Sequence, residues 1–235
     1  RQVLILPTFE FPPRRDVAPQ AAELPLFPLN AVLFPGGALP LRVFEQRYMT
    51  LVKDCFKRES AFGICLIAEG AEVGAPAVPH KVGTQARIVA WDMTQPGILN
   101  ITVRGEARFR ILSSEVGREG LLQARVEPVA AEAEMPVPAA LAALVPLLQA
   151  MVADAGAEHF PAPYRFEDAA WVGYRFSELL PIPAIARQKL LELEDPISRL
   201  EIVFKFTLPE KNSNRVVRKS LRPDYATGNH GPSSP

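Results

Sequence analysis

Arg42, Glu45 and Arg47 crowd one short run, LRVFEQRY, and Arg104 and Arg108 flank a glycine in ITVRGEARFRI further along the chain. Arginines gathered about a carboxylate make paired, charge-assisted hydrogen bonds. That chemistry serves either ligand recognition or an internal ion pair. These five residues form the expected substrate-facing set, and a half-buried ion pair locking a helix onto strands is the competing use of the same side chains. Other chemistry is sparse. His80, His159 and His230 are far apart, with no partner at ligand spacing, so no metal is expected. Cys55 and Cys65 lie in apolar runs, KDCFK and FGICLIAE, as reduced core thiols do. A Cys-His catalytic pair would need the fold to carry one of them to a histidine. No serine sits in a Gly-x-Ser-x-Gly frame, and no lysine follows a glycine as a phosphate-cradling loop requires. Pro35-Gly36-Gly37 leads into a strand-like run, so no helix N-terminus is set to receive a phosphate. The carboxylates of ELED, Glu192 to Asp195, fall at a helix end where capping and solvation account for them. The expectation is a non-enzymatic protein without a cofactor.

The composition narrows the partners. With 26 basic and 26 acidic residues among 235, the net charge is zero, and nothing at whole-chain level draws the molecule to nucleic acid or a membrane surface. Hydrophobic residues make up 48%, enough for a substantial core. Two isolated cysteines suit a reducing compartment, so a cytoplasmic location is expected. No apolar run approaches the roughly 20 residues of a membrane span, and VLILP near the start is too short for a secretory core.

The elements that must position these residues fall into two halves. Residues 1–22, with EFPPRRDVAPQ, read as a loosely held arm. From 23 to 130 the chain shows short strands with glycine and proline punctuation, the pattern of a small β-barrel of mostly antiparallel strands. Gly105 reads as the turn of a hairpin, with Ala107, Phe109 and Ile111 on one face and Arg108 and Arg110 on the other. One helix, at about 45–58, carries Tyr48, Leu51, Val52, Cys55 and Phe56 at helical spacing. Residues 131–209 are rich in Ala, Pro and Leu and read as a helical bundle, with a kink or break at Pro146. A helix in FEDAAWVGYRFSELL is followed by one opened by Pro183 and another capped by Asp195 ahead of Pro196. Ile197, Leu200, Phe204 and Leu208 make an apolar stripe on that last helix. Residues 210–235, with Lys211, Arg215, Arg218, Lys219 and Arg222, read as a disordered basic tail. The fold class is α+β.

LPLFPLNAVLFPGGALPLRVFEQRY, followed in order by FGICLI, VGTQARI, ITVRGEARFRI, LLQARVEPV and LLELEDPISRLEIV, resembles the Lon protease N-terminal domain. This is the family's substrate-binding domain, here similar to its standalone form, and the resemblance runs from Leu24 to Leu208. It implies a PUA-like barrel followed by a helical bundle. Full Lon proteases continue into an ATPase module and a Ser-Lys protease, and this chain is expected to lack both. The resemblance transfers no catalytic residue. The partner it implies is a polypeptide, an unfolded or damaged client, with a protease or chaperone as a second partner and no membrane. An RNA-binding PUA-like domain, using Arg87, Arg104, Arg108, Arg110 and the basic tail, is the alternative.

Overall fold

The computed structural model describes residues 4–5, 21–156, 159–160 and 162–207. Strand β1 is Leu4–Ile5 and β2 is Ala22–Leu29. Strand β2 contains Pro25 and Pro28, residues normally barred from central strands because they have no N–H to donate. Its pairing explains the tolerance. Ala22 to Leu26 ladder antiparallel with β8 (Leu122–Pro128), while Leu26 to Leu29 ladder parallel with β4 (Phe62–Glu69). Each proline therefore has a laddered neighbour on one side only, and the N–H it lacks leaves no gap on the other.

Strand β6 (Val82–Gln95) pairs with both β4 and β7 (Ile98–Val116), so the path β6–β4–β2–β8–β7 returns on itself as a ring. The two-residue β5 (Val78–Pro79) pairs with β4. The hairpin expected around Gly105 is not formed. Strand β7 runs unbroken through that residue, and the turn of the β6–β7 hairpin falls instead between Gln95 and Ile98. One edge of β7 serves β6, and the other serves β3 (Ala38–Val43) as far as Arg104 and β8 from Phe109 onward. Gly105 marks the handover. There the Pro35-Gly36-Gly37 loop closes on the strand, Gly36 N–H donating to Gly105 O at 2.8 Å and Gly105 N–H to Gly37 O at 2.9 Å. A Cβ at position 105 would lie 2.1 Å from Phe34 O, so the backbone approach requires glycine.

Helix α1, Gln46–Arg58, buries Tyr48, Leu51, Val52 and Cys55 against the ring, with Tyr48 stacked on Phe27 at 3.8 Å. It ends at Glu59, in the left-handed region with φ 51°, after Lys57 and Arg58 in the favourable last turn. Helix α2, Leu144–Ala155, is not broken at Pro146, which sits in its first turn where no intrahelical donor is needed. Helix α3, Ala169–Leu179, is capped by Asp168, whose carboxylate accepts from Ala170 N–H, and is buried on most of its surface. Helix α4, Ala184–Glu192, follows Pro183, and α5, Pro196–Thr207, starts where Asp195 accepts from Ser198 N–H at 2.8 Å. Leu144, Leu148, Val172, Phe176, Leu200 and Val203 form the core shared by α2, α3 and α5. A separate cluster of Phe34, Val82, Ala170, Tyr174, Leu190 and Leu191 seals these helices to the strands.

Within residues 1–22, Leu4–Ile5 form a short strand, since β1 pairs antiparallel with Trp91 and Ala90 of β6. The rest of residues 1–20, Leu208 of the expected apolar stripe, His230 and the expected tail at 210–235 lie outside the described residues.

Candidate functional site

The five candidate residues do not converge on one place. Arg42 is exposed on β3. Glu45 and Arg47 pair with each other at 3.0 Å, not with an arginine from another strand. Arg47 is buried, lies 4.7 Å from the Tyr48 ring centroid and donates to Gly120 O at 3.3 Å, so it ties α1 to the turn before β8. Arg104 is half-buried in mid-β7, between Ala38 and Arg87 in register. Arg108, expected to face outward, is only 4% exposed.

A residue outside the expected set explains Arg108. Glu132, in the connector after β8, is 2.9 Å from Arg108 Nη2 and receives both Nη1 and Nη2 of Arg199, at 2.8 and 2.7 Å. Tyr174 O–H donates to the same carboxylate, and the Arg199 guanidinium lies 4.1 Å from the Tyr174 ring centroid. Arg108 Nη1 donates to Leu191 O at 2.7 Å and Leu193 O at 2.6 Å, while Arg199 Nε donates to Leu190 O at 2.9 Å. Strand β7 and helices α3 and α5 are thus bolted through a single buried carboxylate, and its two arginines extend the joint to the end of α4. Burial raises the Tyr174 phenol well above its ordinary range, against the pull of Arg199 and Arg108. The sequence signal was weak, because AAEAE reads as an exposed, alanine-rich stretch.

A second joint closes on the glycine pair. Arg175 of α3, 2% exposed, donates from Nη2 to Pro35 O and to Glu178 Oε1, both at 2.8 Å. Gly36 has φ +75°, and a Cβ on Gly37 would fall 2.0 Å from Glu178 Oε1. The glycines therefore admit an acidic side chain of α3, and the loop's role is docking. Burial pushes the Glu178 carboxyl up to about 7, opposed by Arg175 and Arg187.

Beside that joint the surface turns aromatic. Tyr164, Phe166 and Trp171 pack with centroid separations of 5.6, 6.3 and 5.1 Å at the entry to α3, and Tyr164 remains 41% exposed. The Arg175 guanidinium lies 5.7 Å from the Trp171 ring centroid, and Arg104 Nη2 reaches Ala162 O at 3.5 Å. Arg104 thus borders this aromatic lip. An apolar concavity of about 420 Å³ lies apart from these rings, between α4 and α5, and is lined by Ile182, Leu190, Leu193, Ile202 and Phe206. Cys55 and Cys65 are buried free thiols, and burial raises both above the usual thiol range, which suppresses the thiolate a nucleophile needs. Among the described residues no group of three His, Cys, Asp or Glu side chains is placed to hold a metal ion, and no helix is long and apolar enough to cross a membrane.

The family model of the ATP-dependent protease La (LON) substrate-binding domain matches residues 23–208. The chain belongs to this family. It is similar to a crystal structure of a Lon N-terminal domain protein from Xanthomonas campestris, at 37% identity and a TM-score of 0.67, covering 79% of this chain and 98% of that one. The N-terminal domain of the Mycobacterium avium complex Lon protease, 18% identical with a TM-score of 0.58 over 80% of this chain and all of that one, shares the fold. The Lon protease of Anaeromyxobacter dehalogenans is 39% identical over 111 residues, which are 46% of this chain and 13% of that protein. That of Paraburkholderia phytofirmans is 29% identical over 212 residues, 83% of this chain and 26% of the relative. The chain therefore spans a small part of these proteases, and the likeness is to the substrate-binding domain.

Proposed function

We propose that this chain is a Lon-type polypeptide-recognition module that holds segments of unfolded or client protein and carries no ATPase or protease chemistry of its own. The observation that carries this reading is the open aromatic lip of Tyr164, Phe166 and Trp171, in a chain whose family is named for substrate binding. Aromatic side chains give large contact area at low entropic cost, which suits clients of varied sequence. In this reading the strand ring is a PUA-like β-barrel over 23–130 and the helices of 131–209 are its accompanying bundle. The module works in the cytoplasm beside a protease or chaperone that processes the client. Arg104, next to the lip, and Arg42, exposed on β3, face the client, while Glu45, Arg47 and Arg108 brace the fold. Strand β3, which ladders only with β7 among the described residues, offers an edge for an extended segment.

The RNA alternative draws no comparable support. Arg87 is bound by Glu106 and donates to Glu59 O, Arg108 is bound by Glu132, and Arg110 stands between Glu127 and Glu194. Phosphate binding needs a row of cations not already neutralised.

The test is a titration of the chain with a chemically denatured client, followed by fluorescence anisotropy. Roughly micromolar binding is expected for a modest interface, weakened about tenfold by Tyr164→Ala. No binding to any denatured client by the folded chain would end the proposal.

A further inference from the structure

Arg104 of β7 has Arg87 as its ladder partner on β6 and feels the charge of Arg175 on α3, and the neutralisation of the three is uneven. Arg87, across the ladder from Arg104, is bound by Glu106 at 2.5 Å. Arg175 is bound by Glu178 at 2.8 Å. Arg104 has no carboxylate partner among the described residues, and its one hydrogen bond there is the long contact to Ala162 O at 3.5 Å. A half-buried cation with no carboxylate partner among the described residues, beside an exposed aromatic cluster, is open to a ligand's charge. Burial and then the like charge of Arg175 depress the Arg104 pKa.

We infer that Arg104 anchors an aspartate or glutamate side chain of a bound, extended client segment, whose neighbouring aromatic residue lies on Tyr164 and Trp171. The inference rests on the polypeptide-recognition reading above and specifies its chemistry. Arg104 stands mid-strand, with β3 on one side and β6 on the other, so a bound chain has surface to either side of it. That position suits an internal acidic side chain better than a chain terminus. Nucleic acid fits less well. The aromatic rings pack edge to face on Trp171, at 63° and 81°, which leaves no parallel pair among these three rings to clasp a base.

The experiment compares two fluorescent peptides, acetylated and amidated at their ends and identical except that one carries Phe-Asp where the other carries Phe-Asn. The Phe-Asp peptide is expected to bind about tenfold or more tightly, as a charge-assisted, partly desolvated pair should, and the difference should shrink with added salt. Arg104→Gln is expected to erase the discrimination, so that the two peptides bind it alike, and Arg104→Lys to retain part of it. Equal affinity of the two peptides for the natural chain overturns the inference without any variant. It is equally overturned if discrimination survives in folded Arg104→Gln, if only a free terminal carboxylate binds, or if single-stranded RNA displaces the Phe-Asp peptide. Should both peptides bind alike, polypeptide recognition stands and the role of Arg104 falls. Should neither peptide nor a denatured client bind, both fall.

Discussion

Glu132 and Arg199, 67 residues apart in sequence, meet through two parallel hydrogen bonds of 2.8 and 2.7 Å in a site where the arginine is fully buried. Removing one member of such a pair strands the opposite charge in a dry interior. Glu132→Ala is therefore expected to cost about 3–5 kcal/mol in urea denaturation, because Arg108 and Arg199 both lose their counter-charge. Tyr174→Phe, which removes one hydrogen bond to the charged carboxylate, should cost about 1.5–3 kcal/mol. A loss below about 1 kcal/mol for Glu132→Ala would show that the carboxylate is not the joint described here.

Gly37 and Gly105 make a matched comparison. A methyl at 37 meets the end of a flexible side chain, Glu178 Oε1, whereas one at 105 meets the backbone carbonyl of Phe34. Both alanine variants should be destabilised by about 1–3 kcal/mol or more, as overpacking is. Only Gly37→Ala should be relieved by a second change, Glu178→Ala. Thermal melting of the two single variants and the double variant decides it, and relief that is absent would remove Glu178 as the reason for glycine at 37.

Glu178 should leave a mark on stability against pH. Its folded carboxyl titrates near about 7, and its ordinary value is 4.5. Below the lower value both folded and unfolded chains carry the proton. Between the two values the folded chain keeps a proton that the unfolded chain has released, so stability falls as pH rises, by at most about 1.4 kcal/mol per pH unit. Above about 7 this contribution is constant. Urea unfolding of the natural chain across this window, set against Glu178→Gln, should show the extra decline only in the former. A difference that stays flat or runs the other way would contradict the burial of this carboxyl.

Cys55 and Cys65 should resist alkylation in the native state. Burial disfavours both thiolates, and at Cys55 a hydrogen bond with Ser60 opposes that only in part. Iodoacetamide at mildly alkaline pH is expected to label them roughly a hundredfold more slowly than in urea, since reaction must wait for opening. Rapid native labelling of either would reopen cysteine chemistry.

Local signals were legible in the sequence to the extent that one element could satisfy them alone. Tyr48, Leu51, Val52 and Cys55 repeat at helical spacing, and α1 is where they place it. Asp195 followed by Pro196 announces the start of α5. Three features depended on partners far along the chain and were not legible. Gly105 resembles a turn residue, yet it answers to the backbone of the loop at Phe34, which only the folded β7 brings near. Arg108 alternates like a solvent-facing side chain, and its burial is decided by Glu132 and by carbonyls of Leu191 and Leu193. Pro146 looks like a breaker until the helix start is known. Of the candidate site, the arginines were identifiable by type. Which of them is neutralised depended on carboxylates the pattern could not assign.

The Glu132 joint also orders events on a chain emerging from the ribosome. The strands through Pro128 appear first, and Glu132 follows at once to meet Arg108. Leu191, Leu193 and Arg199, which complete the hydrogen bonds of both groups, appear last. A nascent chain halted before α5 would hold an ion pair short of its final donors and acceptors, with the helical core open. Such a chain stays loosely closed and exposed to proteolysis until α5 arrives, so closure of the fold waits on a helix made well after the strands it seals.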